Sequence, residues 1–139
     1  MYALRDTPRF NEFAVLLETS NQIWANKSSA LVIQVLANYE LYKGFKLPLP
    51  DKLFDAGSAY TLLALEAAGR GYSAVAMAGI HFDDTYAALN VTTERQTINI
   101  IIAIGKNPDN KSRKTPKTIT LRNSTKLFAF RDNYVDNDP

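Results

Sequence analysis

The segment from Phe54 to Ala68 constrains the fold most, because its residue spacing predicts a long helix with almost no polar face. A helix that is apolar on all sides has to be covered on all sides. A chain of 139 residues suffices for one domain and not for two, so a partner subunit is a natural source of part of that cover. Gly69 and Gly71 predict where the helix ends.

The remaining segments alternate between helix and strand. Thr7 and Pro8 predict a helix start, since Thr can cap and Pro suits the first helical position. Further elements are a helical turn over 20–25, strands over 30–37, 72–77 and 97–104, a short helix through Leu89 capped by Asp83 or Asp84, a loop over 42–50, a polar loop over 106–117 and an extended tail over 119–130. This order predicts an α/β or α+β sheet flanked by helices, with one domain over 1–131 and a disordered tail over 132–139.

Composition excludes several classes of protein. The chain has no cysteine, which rules out disulfides and thiolate metal sites. Its only histidine, His81, leaves little for a metal centre, and we expect no bound metal. No apolar run reaches the length of a membrane span, and the N-terminus lacks a basic and apolar leader. We therefore expect a cytoplasmic protein.

Positive charge is concentrated near the C-terminus. Residues 1–104 carry 8 basic and 10 acidic side chains, whereas residues 105–139 carry 8 basic and 4 acidic ones. Three interpretations remain open: a solvated loop, a phosphate clamp made from a few of these cations, or an arm that binds nucleic acid. No aromatic side chain lies between Lys106 and Lys126, which disfavours the nucleic-acid interpretation.

Familiar catalytic motifs are missing or lie in the wrong context. The string from Gly69 to Ala74 matches Gly-x-Gly-x-x-Ala, but it follows a predicted helix and enters a predicted strand, the reverse of a dinucleotide site. It is better interpreted as a helix C-terminus. Ser73 has no nucleophile-elbow motif around it, so a hydrolytic triad is not expected, and no catalytic side chain is assigned.

Four short motifs follow one another along the chain: Asn-Gln-x-Trp-Ala at 21–25, an Asp-Ala-Gly-x-Ala start to the Leu- and Ala-rich helix at 55–68, a glycine, short strand and Gly turn at 69–80, and a closing strand at 102–105 before a basic loop at 111–113. In this order and spacing they resemble the nitroreductase family over residues 2–121. The resemblance is to the C-terminal two thirds of the family. We expect the family's N-terminal Arg-rich segment to be missing, either because the sequence is a fragment or because the protein is a naturally shortened form.

The resemblance implies an FMN cofactor, a homodimer with sites at the subunit interface, and hydride transfer from NAD(P)H through the flavin to a nitroaromatic, quinone or related acceptor. It places Lys111 and Arg113 on the FMN phosphate, and the backbone of Ala78 and Gly79 beside the flavin ring. Some relatives have Glu where this chain has Ala78, so we expect a less acidic site. The alternative is a non-catalytic dimer of the same fold that binds flavin or another phosphate ligand.

Overall fold

The computed structural model describes residues 1–106 and Ser124, and residues 1–106 fall within the compact unit Met1–Asn107. Apart from Ser124, the predicted segments beyond Lys106 lie outside the described residues. The elements are β1 (Tyr2–Leu4), α1 (Pro8–Ala14), α2 (Thr19–Ala25), β2 (Ala30–Ala37), β3 (Tyr39–Tyr42), β4 (Phe45–Pro48), α3 (Lys52–Gly69), β5 (Tyr72–Met77), α4 (Phe82–Leu89) and β6 (Gln96–Lys106).

Four strands form one sheet in the order β1-β2-β6-β5, and each neighbouring pair is antiparallel. The central strand β6 has a run of branched side chains between two strands, as expected for a segment that is covered on both faces. The mixed α and β architecture, a sheet flanked by four helices, confirms the predicted fold class. None of the helices in residues 1–106 has both the length and the hydrophobicity of a membrane-spanning segment.

The main core lies between one face of the sheet and helices α1 and α4. Phe10 and Phe13 of α1 are buried there against Leu31 and Ile33 of β2. Burial of each such side chain contributes about 1.5–3 kcal/mol. The predicted start of α1 is confirmed, because Thr7 caps the helix by accepting a hydrogen bond from the Phe10 N–H at 3.3 Å.

Helix α3 packs against β2 and β5. Gln34 of β2 anchors it, because its side-chain amide donates to the Ala56 carbonyl oxygen at 2.9 Å. The amide oxygen of Gln34 in turn accepts from Asn99 of β6 at 2.8 Å. Asn99 is the extra residue of a β-bulge, since Gln34 pairs with Ile100 and the next residue, Val35, pairs with Ile98.

The prediction that α3 is covered on all sides is not met within residues 1–106. Ala56 is its buried residue, whereas Phe54 and Leu62 are 77% and 68% exposed. The position and length of the helix agree with the prediction, because its apolar spacing is helical. Its outer face keeps an apolar stripe that residues 1–106 leave open to solvent.

Three local predictions were wrong, and one strand was not predicted. The predicted loop over 42–50 contains most of a hairpin, β3 and β4, because Lys43 and Gly44 have φ of 48° and 85° and form the tight turn that twisted hairpins favour. Strand β1 was not predicted, because three residues are too few to show an alternation of apolar and polar side chains. The helix α4 begins after His81, so Asp83 and Asp84 lie in its first turn and do not cap it. Gly105 lies inside β6 and does not end it.

Candidate functional site at the turn after β5

The turn formed by Ala78 and Gly79 joins β5 to α4. It contains two of the four residues for which the sequence predicted a cofactor contact. The other two, Lys111 and Arg113, lie outside the described residues. The candidate site therefore consists of the turn and the side chains that surround it.

Backbone and side-chain hydrogen bonds fix the turn to α2 and to the segment before it. The Gly79 carbonyl oxygen accepts from the Glu18 N–H at 3.0 Å and from the Asn21 side-chain amide at 3.2 Å. On the other side of the turn, the His81 N–H donates to the Leu16 carbonyl oxygen at 2.8 Å. These three bonds hold Gly79 and His81 against α2 and the segment before it.

Gly79 lies close to two neighbouring side chains. A β-carbon at this position would lie 2.8 Å from Asn21 Nδ2, closer than real β-carbons approach, and 3.0 Å from Glu18 Oε2, a tight contact. Backbone conformation does not require glycine here, because the φ angle of Gly79 lies outside the left-handed region. Gly44 and Gly71 are the described glycines with positive φ. A larger residue here would push aside the side chains of Glu18 and Asn21, and glycine lets both approach the turn.

The N–H groups of the turn point to its chemistry. Within residues 1–106, no hydrogen-bond acceptor is found for the N–H of Ala78 or of Gly79. Ala78 is exposed and Gly79 is half-buried. Two adjacent donors without partners suit an acceptor atom on a bound molecule, because a backbone N–H that becomes covered needs a partner. Such donors can bind any hydrogen-bond acceptor that a ligand brings to the turn.

An acidic side chain that the sequence reasoning did not consider lies beside the turn. Ala78 led to the prediction of a less acidic site, yet the Glu18 carboxylate lies against Gly79. Sequence reasoning missed Glu18 and gave Asn21 no role beyond its motif. The available signal was their spacing of three residues at the start of α2, which puts both on one side of that helix.

Other titratable residues do not form a competing site in the described part of the chain. His81 is exposed, as expected for a surface histidine, and no group of three metal-ligating side chains occurs there. The hydrogen bond and ion pair between Lys46 and Glu94 raise the pKa of Lys46 and lower the pKa of Glu94. That pair joins β4 to the segment before β6 and is a structural contact of the hairpin.

A cavity of about 350 Å³ lies elsewhere, between β2 and the first half of α3. Its walls are mainly apolar, with Gln34, Lys52 and Asp55 as the polar contributors. The Lys52 ammonium already donates to Asn38 at 2.7 Å and to Thr97 at 3.1 Å. Neither Ala78 nor Gly79 lines this cavity, so it is separate from the turn.

Comparison with known proteins gives the fold a family context. No protein-family profile and no curated protein matches the sequence. Among solved structures, an oxidoreductase containing FMN is 32% identical, with a TM-score of 0.74 over 78% of this chain and 55% of that chain. The chain thus spans about half the length of that relative.

Two further structures match nearly the whole chain at lower identity. An enone reductase of gut-bacterial fatty acid saturation, CLA-ER, is 19% identical and has a TM-score of 0.70 over 96% of this chain and 77% of its own. A protein assigned as a nitroreductase in complex with FMN, from Exiguobacterium sibiricum, is 17% identical and has a TM-score of 0.71 over 94% and 75%. The similarities confirm the predicted resemblance at the level of the fold.

Proposed function

We propose that this chain, which has the fold of the nitroreductase-family FMN oxidoreductases, is itself a cytoplasmic FMN-dependent oxidoreductase. The proposed reaction moves hydride from NAD(P)H to a nitroaromatic, quinone or related acceptor. The likeness to an FMN-containing oxidoreductase at 32% identity is the observation that carries the proposal. A flavin supplies the electron-accepting chemistry when bound, so no side chain has to act as acid or base.

The residues of the turn fit the proposed cofactor. The free N–H groups of Ala78 and Gly79 are suited to donate to the flavin ring near N5, and donors there tune its electronics. Lys111 and Arg113 are proposed to bind the phosphate, where two cations suit a dianion and Arg offers a bidentate fork. The role of the protein is then to position the cofactor and to keep water from the ring.

We further propose that two copies of the chain associate through α3. Phe54, Leu62 and Leu65 form an exposed apolar stripe along this helix, with exposed fractions of 77%, 68% and 65%. Large apolar patches on a protein surface usually mark an interaction site. A second copy supplies an identical stripe, which is the arrangement that a two-fold interface requires.

The test is to titrate the purified chain with FMN and to follow flavin absorbance and fluorescence, then to add NADPH or NADH without oxygen. Binding followed by loss of the oxidised-flavin band supports the proposal. The phosphate role is tested by Arg113→Ala, which should weaken FMN binding about 10- to 100-fold, since a hydrogen bond to a charged group contributes about 1.5–3 kcal/mol. Lys114→Ala, which removes a neighbouring cation, is the matched control.

Two results would contradict the proposal. If the chain does not bind FMN at any concentration used, both the cofactor and the reaction are wrong. If it binds FMN but neither nicotinamide bleaches the flavin, the alternative of a non-catalytic flavin-binding dimer is the better one. Equal FMN affinities of Arg113→Ala and Lys114→Ala would contradict the proposed contact between Arg113 and the phosphate, and the rest of the proposal would stand.

A further inference from the structure

The turn after β5 is covered by two side chains from one end of α2. Glu18 immediately precedes this helix and Asn21 lies three residues later, so both face Gly79. The Asn21 amide is bound to the Gly79 carbonyl oxygen. The Glu18 carboxylate approaches the same glycine, with its Oε2 atom 3.0 Å from the position of a built β-carbon.

The Glu18 carboxylate has no structural partner in the part of the chain that the structure describes. It makes no helix-capping hydrogen bond, and none of the ion pairs within residues 1–106 includes it. The residue is held in place by its backbone, because its N–H donates to Gly79 at 3.0 Å. A negative charge whose backbone is held in place therefore lies beside the turn whose two N–H groups lack partners within residues 1–106.

We propose that the negative charge of Glu18 sets how readily a flavin bound at this turn is reduced. This inference rests on the proposed function, because it needs a flavin at the turn. Hydride carries two electrons and one proton, so its transfer from NAD(P)H adds one negative charge to the flavin and leaves NAD(P)⁺. A carboxylate near the ring opposes that added charge by Coulomb repulsion and lowers the reduction potential.

The competing explanation is that Glu18 only stabilises α2, since a negative charge at a helix N-terminus interacts favourably with the helix dipole. The two roles differ in what they change. A dipole role affects the thermal stability of the protein without FMN. A flavin role leaves that stability nearly unchanged and alters the equilibrium between oxidised and reduced flavin.

The experiment compares Glu18→Gln with Glu66→Gln in the whole chain. Both variants remove one negative charge from an exposed side chain, and glutamine keeps the shape. Glu66 lies near the end of α3, which leads into the start of β5, whereas the turn follows the end of that strand. Six residues of strand separate these two ends by roughly 20 Å. The measurements are thermal unfolding without FMN, FMN affinity, and a redox titration against an indicator dye at low and high salt.

We expect Glu18→Gln to raise the ratio of reduced to oxidised flavin at a fixed potential by at least about threefold at low salt, and by less at high salt because salt screens the charge. Glu66→Gln should match the unmodified chain. If FMN binds and the two variants have the same redox equilibrium, the inference is wrong while the proposed function stands. If Glu18→Gln only lowers thermal stability, the dipole explanation replaces it. Failure of the unmodified chain to bind FMN overturns both.

Discussion

The hydroxyl of Tyr86 on α4 accepts a hydrogen bond from the backbone N–H of Ile98 in the central strand, at 3.1 Å. Ile98 adjoins the bulged residue Asn99, where the ladder between β2 and β6 shifts register. A bulge disrupts the local ladder, so its backbone groups need partners from elsewhere. Tyr86 supplies one of them and ties α4 to the strand that carries the core.

We expect Tyr86→Phe to destabilise the protein by about 1–3 kcal/mol, because a buried N–H is left without an acceptor. Urea unfolding followed by circular dichroism measures this change. Tyr42→Phe is the control, since Tyr42 is 56% exposed on the hairpin. This variant should change the free energy of unfolding by no more than about 0.5 kcal/mol. Equal effects of the two variants would show that the Tyr86 hydroxyl does not serve Ile98.

Asn38 connects the end of β2 to three other segments. Its amide oxygen accepts from Lys52 at 2.7 Å and from Thr97 at 2.6 Å, and its amide nitrogen donates to the Thr93 carbonyl at 2.8 Å. We expect Asn38→Ala to lower the unfolding free energy by about 1–3 kcal/mol. Thermal denaturation tests this against Asn11→Ala on the exposed side of α1. If Asn38→Ala lowers the stability no more than Asn11→Ala does, the connecting role of Asn38 is contradicted.

The hydrogen bond and ion pair between Lys46 and Glu94 attach the hairpin to the segment before β6, at 2.6 Å. Because Lys46 lowers the pKa of Glu94, this contact stabilises the fold above the ordinary carboxyl pKa, and the stabilisation is lost as pH falls through the lowered value. Because Glu94 raises the pKa of Lys46, the contact is also lost as pH rises through the raised pKa of Lys46.

We therefore expect the amide NMR signals of β3 and β4 to shift on acidification together with the titration of Glu94. Glu94→Gln should abolish this coupling while leaving the global unfolding midpoint nearly unchanged, since exposed ion pairs contribute little. Glu66→Gln, which removes another exposed ion pair, should leave the hairpin signals as they are. Hairpin shifts that persist in Glu94→Gln would contradict the assignment.

The association through α3 also yields a measurable expectation. Leu62→Glu should convert a dimer into a monomer in sedimentation velocity, because the substitution puts like charges and unmatched polar groups into a self-complementary contact. Leu41→Glu on the hairpin is the matched control, since Leu41 is 69% exposed against 68% for Leu62. A monomeric unmodified chain at high micromolar concentration would exclude this interface.

Much of the sheet and of the helices could be predicted because the relevant segments are strongly periodic. Strands β2 and β5 have the predicted bounds, and α3 differs by a residue or two at each end. The hairpin could not be predicted from Gly44 alone, because the turn also needs Lys43 in a left-handed conformation that its residue type disfavours. Strand β1 exists because Ala3 pairs with Leu31, a contact that is distant in sequence.

The site was predictable only in part. The motif placed Ala78 and Gly79 at a turn, and the structure has them between β5 and α4. The approach of Glu18 and Asn21 depends on how α2 packs against that turn, which a linear sequence does not encode locally. The assignment of Lys111 and Arg113 stays a prediction.

Because β3 and β4 pair with each other and not with the four-stranded sheet, this hairpin is a convenient place for a spectroscopic reporter. The chain contains no cysteine and a single tryptophan, Trp24, on α2. A fluorophore coupled to a cysteine introduced at Glu40 would therefore receive excitation energy from one known donor. Its transfer efficiency would follow the distance between α2 and the hairpin while ligands are added.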